Sequence, residues 1–413
     1  MSSTSTFSRR SGWISLLAGT MITSILGASY AYSAYRTALE SLWGSSFLAS
    51  LPFSVFVAVF AFSSILGGRI YTARGIKTTS ALSISLVSVG LLLSSLVEYI
   101  ADPLYLIATY GVLTGLGNGF GYIPTVALAR RWFPDRAGLA TGIVIFGYGG
   151  SAVVFAPMKT VLIDLHGLST TFLVVGVLSA VLGAVAYSLI RDPPEDVVKR
   201  LTPGAVKRIV VPKKDLDPRE ATRTRDFWTM WTSFILVSAP GLMLIGHLMS
   251  FAKSRGLDPI QASLAVSVFS VFNAIGRPPA GWISDKLGKY GRPITMSLFF
   301  LLQTVLFLLL AAPELGGVAL LGTMALAGFF YGSALALYPA LVGDFFGIRH
   351  LSTNYSLAFT GWGIAGLVAP SLGGYLVDLT GGYEVPLVVS SFFSLVGALS
   401  CLYLLKRLKL YLA

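Results

Sequence analysis

Hydrophobic residues in this chain come in long blocks broken mainly by Gly, Ser and Thr, from residue 12 to residue 405. A bilayer core of about 30 Å is crossed by about 20 mostly apolar residues in an α-helix. By that measure the pattern predicts spans at 12–35, 46–70, 79–98, 104–129, 137–162 and 168–190, then at 228–252, 260–284, 294–312, 317–342, 351–374 and 385–405. Between the two sets of six lies RDPPEDVVKRLTPGAVKRIVVPKKDLDPREATRTRD, whose charges and prolines rule out a further span. The expected fold is therefore an all-α membrane protein with twelve transmembrane helices in two pseudo-symmetric six-helix bundles. Residues 1–190 form the first bundle, 191–226 a cytoplasmic connector and 227–413 the second bundle. After Arg9 and Arg10 the apolar run is too long for a cleaved leader, so the first segment is expected to stay as an anchor.

Composition agrees with this pattern. With 54% hydrophobic and only 12% charged residues, the chain cannot cover a soluble globule of 413 residues. Its net charge of +12 would suggest a nucleic-acid partner if the basic residues were clustered on a soluble face. Assigned to alternating sides with both termini inside, 25 of the 30 Lys and Arg residues fall on the inner face. Only Arg36, Lys253 and Arg255 fall in outer loops. The charge is thus a topology signal of the positive-inside kind, and nucleic acid is not an expected partner. Two basic residues remain within spans: Lys159, near enough to an outer end to snorkel, and Arg277. The single cysteine, Cys401, excludes a disulfide framework and a thiolate metal site. Neither a metal-ligand cluster nor a nucleophile with its base and acid lies at membrane depth, so an enzyme, a metal and a cofactor are not expected.

The halves repeat one another at a constant offset of 213 residues. Gly68 and Gly75 fall on Gly281 and Gly288, Gly115 on Gly328, Arg136 on Arg349, and Ala156–Pro157 on Ala369–Pro370. A duplicated bundle pair with a charged connector suits a carrier whose halves rock about a midplane site.

Arg277 points to the cargo. It sits eight residues from the cytoplasmic end of its span, about 12 Å in at 1.5 Å per residue, so snorkelling is incomplete. Burying a cation there costs from about 2.5 to more than 10 kcal/mol. All 18 Asp and Glu residues fall in loops or at span ends. Either an anion comes from outside the protein to meet the guanidinium in a two-bond fork, or backbone carbonyls near Pro278 and Pro279 or a lipid phosphate hold it. Asn273, one turn earlier on the same face, either bonds a hydroxyl or keto oxygen of the cargo or bonds a neighbouring helix. Tyr331 and Tyr122 lie near mid-depth as hydroxyl donors or as packing, with Asn118 at the repeat position of Tyr331. His247, within the seventh span, either carries a proton or packs between helices. Tyr30, Tyr32, Tyr35 and Arg36 cluster toward the outer end of the first span, Arg36 reading as an outer-loop charge or a guide for anions.

GWISDKLGK, residues 281–289, fits the G-x-x-x-D-R/K-x-G-R/K loop of the major facilitator superfamily. The chain resembles that superfamily over essentially its whole length. The first-half copy, GRIYTARGIK, has Thr72 and Ala73 where the pattern has its acidic and basic residues. The resemblance implies a gating role for Asp285, Gly281, Gly288 and Gly68. SGWISLLAG, GASYAYS, RRWFPDRAGLATGIVIFG and NAIGRPPAGWISD are similar to the monocarboxylate porters and the oxalate:formate antiporters. That likeness implies a substrate carboxylate at Arg277. It also implies a lysine in the eleventh helix of the antiporters where FTGWG here places Trp362. One cation balances one carboxylate, so the expected cargo is a small monocarboxylate of the lactate or pyruvate type, with Trp362 and Phe359 walling its carbon chain or packing the bundle. Proton-coupled symport by a monomer in the plasma (cell inner) membrane, both termini cytoplasmic, is the implied mode; an oxalate:formate-type antiporter is the alternative.

Overall fold

The computed structural model describes residues 3–133, 137–193, 215–347 and 350–412. Arg136, Arg349 and most of the connector lie outside the described residues. All regular structure among the described residues is helical. Among the described residues nine stretches are long and apolar enough to cross a membrane. Two of them, Ser46–Ser94 and Ala140–Leu189, are each two helices joined at a glycine, Gly75 (φ 75°) and Gly167 (φ 82°). Only glycine adopts such a left-handed φ at little cost, so a hairpin between two spans is made without any longer loop. The fourth helix runs from Pro103 to Trp132 with a π-helical stretch, Ile107–Thr114, inside it. With it the described residues supply the twelve helices that the hydropathy predicts. Gly288, the repeat partner of Gly75, also has positive φ (73°), so the sequence repeat is a repeat of backbone geometry.

Helix starts follow from local chemistry. Asp102, Asp217 and Asp258 each cap a helix whose first residue is proline, which satisfies an amide that would otherwise lack a partner. One expected boundary is corrected. The first span is not a single helix over 12–35: it breaks after Gly27 into a 3-10 turn, Ala28–Ala31, and resumes over Tyr32–Trp43.

By contacts the described residues form two compact units, one drawn from Met1–Ala31 and Val59–Val206, the other from Tyr32–Ala58 and Lys207–Ala413. Both present large apolar side chains outward, among them Leu66 and Val181 on the first and Leu302 and Phe392 on the second. Such surfaces are stable only against hydrocarbon. Tyr32–Ala58 is tied into the second unit by specific bonds. Asp378 accepts from the Ser46 and Phe47 amides (2.8 and 2.9 Å) and the Ser45 hydroxyl (2.8 Å), and Ser371 donates to Ser54 (2.7 Å).

Within the second unit the eighth helix (Pro259–Lys286) and the tenth (Gly317–Phe346) approach through glycine. A Cβ on Gly332 would overlap the Asn273 carbonyl oxygen, and one on Gly276 would overlap that of Phe329. Gly332→Ala is therefore expected to cost at least the 1–3 kcal/mol typical of overpacking, seen as a lower thermal midpoint. Gly322→Ala on the same helix, where a Cβ meets open space, should not lower the midpoint and should raise it slightly, since alanine favours the helix by up to about 1 kcal/mol.

Candidate functional site

The second unit gathers five of the expected binding residues. Arg277 is 9% exposed and donates from Nη2 to Asn273 Oδ1 at 3.2 Å. The one-turn spacing on a single helix sets this contact. Asn273 is fully buried, and its Nδ2 has no hydrogen-bond partner among the described residues. The amide is thus orientated by the guanidinium, with its donor end left over for another acceptor. From the tenth helix Tyr331 accepts a hydrogen bond from Trp362 Nε1 at 3.0 Å. Trp362 stacks on Phe359 one turn earlier in the eleventh helix, with centroids 5.0 Å apart and planes at 10°. Phe269, one turn before Asn273, lies against Tyr331 at 6.3 Å, and the close approach at Gly332 holds Asn273 beside the same stretch of the tenth helix. A buried cation with its amide and an aromatic wall with one hydroxyl therefore stand on neighbouring faces of three helices. Such a set is able to hold one carboxylate by a fork and a short carbon chain by apolar contact.

In the first unit Asn118 and Tyr122 meet at a residue that the sequence reading missed. Tyr148 donates to Asn118 Oδ1 at 3.2 Å, shares a hydrogen bond with Ser29 at 3.1 Å, and packs edge-on to Tyr122 with centroids 5.0 Å apart. Its ring also meets Tyr30 and Phe60. Only tertiary structure brings residues 29, 118 and 148 together, so no local pattern announced it. Lys159 corrects an expectation. It does not snorkel: it is 1% exposed and donates to the Ala28 carbonyl at 2.8 Å, where the first helix turns 3-10.

Arg36 is also misread as an outer-loop charge. It is fully buried and donates to Ser50 (3.2 Å), Ser250 (2.6 Å), Tyr383 (3.3 Å) and Ser46, and it pairs with Glu40 at 3.1 Å. His247 belongs to this cluster. Its Nε2 lies 2.8 Å from the Pro370 carbonyl and 3.1 Å from Ser50 Oγ, and its ring is edge-on to Tyr383. A carbonyl only accepts, so Nε2 carries a proton, and Nδ1 is the position left for a second one.

The loop motif is built as a charge network in each half. Arg292 bridges Asp285 (3.2 Å) and the buried Asp344 (2.9 Å), beside the turn at Gly288. Gly281 and Gly68 face open space where a side chain would stand. The first half lacks an acid at Thr72, whose hydroxyl instead bonds the Gly68 carbonyl. Asp192, from beyond the sixth helix, supplies the carboxylate: it accepts from the Ile76 amide at 2.7 Å and pairs with Arg131 at 3.3 Å. Its signal in the sequence was an aspartate two residues past the sixth span, directly after Arg191.

The sequence model of the Major Facilitator Superfamily matches residues 12–323 and 248–410. The chain belongs to this superfamily. It is 28% identical to the oxalate:formate antiporter of Oxalobacter formigenes, over 95% of this chain and 91% of that one. It is 30% identical to the uncharacterized MFS-type transporter YhjX of Escherichia coli over 87% of both chains, and 28% identical to monocarboxylate transporter 12-B of Danio rerio over 74% and 68%. Among solved structures, a bacterial homologue of the human lysosomal transporter Spinster, in an inward-facing and occupied conformation, has a TM-score of 0.73 at 15% identity. That match covers 96% of each chain. At that identity the likeness is one of fold. Superfamily members are carriers rather than enzymes, and this chain is a multi-pass membrane transporter.

Proposed function

We propose that the protein carries small monocarboxylates of the lactate or pyruvate type across the plasma (cell inner) membrane, as a monomer with both termini cytoplasmic. Bundles 1–190 and 227–413, joined by connector 191–226, alternate access to the site, and a proton accompanies the anion. The observation that carries this reading is the buried guanidinium of Arg277. Its own helix has no acidic residue before Asp285, and Asp285 is engaged by Arg292. A carboxylate docked on Arg277 balances its charge and offsets part of the cost of burying a cation at this depth. Asn273 Nδ2 donates to the hydroxyl or keto oxygen beside that carboxylate, with Tyr331, Trp362 and Phe359 around the carbon chain. Asn118 and Tyr122 contribute from the first bundle. Trp362 stands where the resemblance expects a second cation, which favours one carboxylate over two. Asp285, Gly281, Gly288 and Gly68 serve the conformational change, and His247 is the candidate proton group.

The second reading, exchange of organic anions, is favoured by the 95% of this chain that aligns with the oxalate:formate antiporter. Proteoliposomes separate the two. Under the first reading, lactate uptake into empty vesicles accelerates when the outside is made acidic, and internal oxalate gives no counterflow. Under the second, uptake requires internal oxalate or formate and ignores the pH gradient.

A further inference from the structure

A groove on the second unit belongs to neither cluster. It has a volume of about 530 Å³ and runs between the start of the seventh helix and the end of the twelfth. Arg223, Arg225, Trp228, Tyr403, Thr229 and Ser400 line it. Both arginines are exposed, and neither guanidinium has a hydrogen-bond or ion-pair partner among the described residues. The acid nearest in sequence, Asp226, does not neutralise them. It is 1% exposed, and Arg407 holds both its oxygens, at 2.7 and 3.1 Å. The seventh helix begins here at Arg225, capped by Thr224, so its positive dipole end adds to the two charges.

We propose that this groove binds the phosphate of an anionic phospholipid. Guanidinium forks match phosphate oxygens, and the Thr229 and Ser400 hydroxyls are further donors. The position of the groove selects a lipid over a soluble phosphate. Trp228 is 51% and Tyr403 45% exposed, and amphipathic rings of this kind sit at the headgroup level of a bilayer. Trp228 is fixed there by its indole N–H, which donates to the Thr222 carbonyl at 2.8 Å. Toward the membrane centre Gly397 of the twelfth helix packs closely against Val237 of the seventh. Leu399 beside the groove and, beyond that point, Phe392 and Val388 are turned outward from the twelfth helix, each about half exposed. A headgroup seated on the arginines thus has its acyl chains laid along a surface that is already lipid-facing. Lys406 and Lys409 at the same end of the twelfth helix widen the field that attracts an anionic headgroup.

The site is independent of Arg277 and of the cargo, so its test stands apart from the transport assays. Native mass spectrometry of the full-length protein in detergent, titrated with phosphatidylglycerol or phosphatidylcholine, is the measurement. The wild type is expected to retain phosphatidylglycerol in preference to phosphatidylcholine. R223Q/R225Q is expected to weaken phosphatidylglycerol retention roughly 25-fold, about five-fold per surface arginine, with phosphatidylcholine unchanged. R69Q/R74Q, which removes two exposed charges from the first unit, should retain phosphatidylglycerol as the wild type does. The proposal is overturned if R223Q/R225Q binds phosphatidylglycerol normally, or if R69Q/R74Q weakens it equally, which would make the effect one of net charge. It is also overturned if equimolar inorganic phosphate displaces the lipid, which would make this a soluble-phosphate site.

Discussion

Arg277→Gln is expected to lower carboxylate uptake by at least about 30-fold while leaving the protein as stable as the wild type or more stable. The two halves of that expectation have one cause. Truncating one partner of a buried, hydrogen-bonded charge pair costs about 2–5 kcal/mol, and in the loaded carrier the substrate carboxylate is that partner. In the empty carrier the same guanidinium is 9% exposed and bonded to Asn273 Oδ1. Its burial costs at least about 2.5 kcal/mol there, so a neutral side chain relieves the resting protein. Glutamine still offers an N–H to Asn273. Arg277→Lys keeps the charge but loses the fork, and should fall between wild type and Arg277→Gln in uptake. Initial rates of labelled lactate uptake in proteoliposomes, read beside thermal midpoints, check both signs together. An arginine that only packs the bundle gives the opposite result, with stability falling and uptake per folded carrier unchanged.

The sequence made some of this legible and hid the rest, for physical reasons that differ from residue to residue. Span positions follow from hydropathy because lipid leaves backbone polar groups no partner outside the helix. Gly75 and Gly288 were visible as a repeat, and both prove to hold the positive φ of the same turn. Arg277 and Asn273 were legible because helical spacing alone puts them together. The bond between Trp362 and Tyr331 joins two helices, and nothing in either segment announces it. Lys159 and Arg36 were misjudged for one shared reason. Hydropathy measures depth along a helix axis but not which face is covered, and both side chains turn inward near a span end. Asp192 shows the converse, a loop acid that completes the first-half motif from over a hundred residues away in the chain.

The misjudged Arg36 also carries the largest expected effect on stability. Arg36→Met should destabilise the second unit by about 3–5 kcal/mol, the usual cost of removing one partner from a buried ionic cluster. That corresponds to a fall of roughly 10 °C in thermal midpoint for a unit of this size. The structural cause is the number of groups left without a donor. Ser46, Ser50, Ser250 and Tyr383 all accept from this one guanidinium, and Glu40 loses its ion pair. Arg36→Lys restores the charge but not the spread of five donors, so it should recover only part of the loss. Asp378→Asn acts on the same segment by weakening a helix cap, since its carboxylate meets the amides of Ser46 and Phe47 and the Ser45 hydroxyl. A lost cap is worth about 1 kcal/mol, so the order of midpoints should be wild type, Asp378→Asn, Arg36→Lys, Arg36→Met. Cys401, the single cysteine, is fully buried in the twelfth helix of the same unit. A dye that fluoresces on thiol reaction therefore reports unfolding of this unit without an added label. If Arg36→Met melts no earlier than Asp378→Asn, then the hydroxyls around the guanidinium find water or one another, and the cluster adds nothing to what the cap supplies.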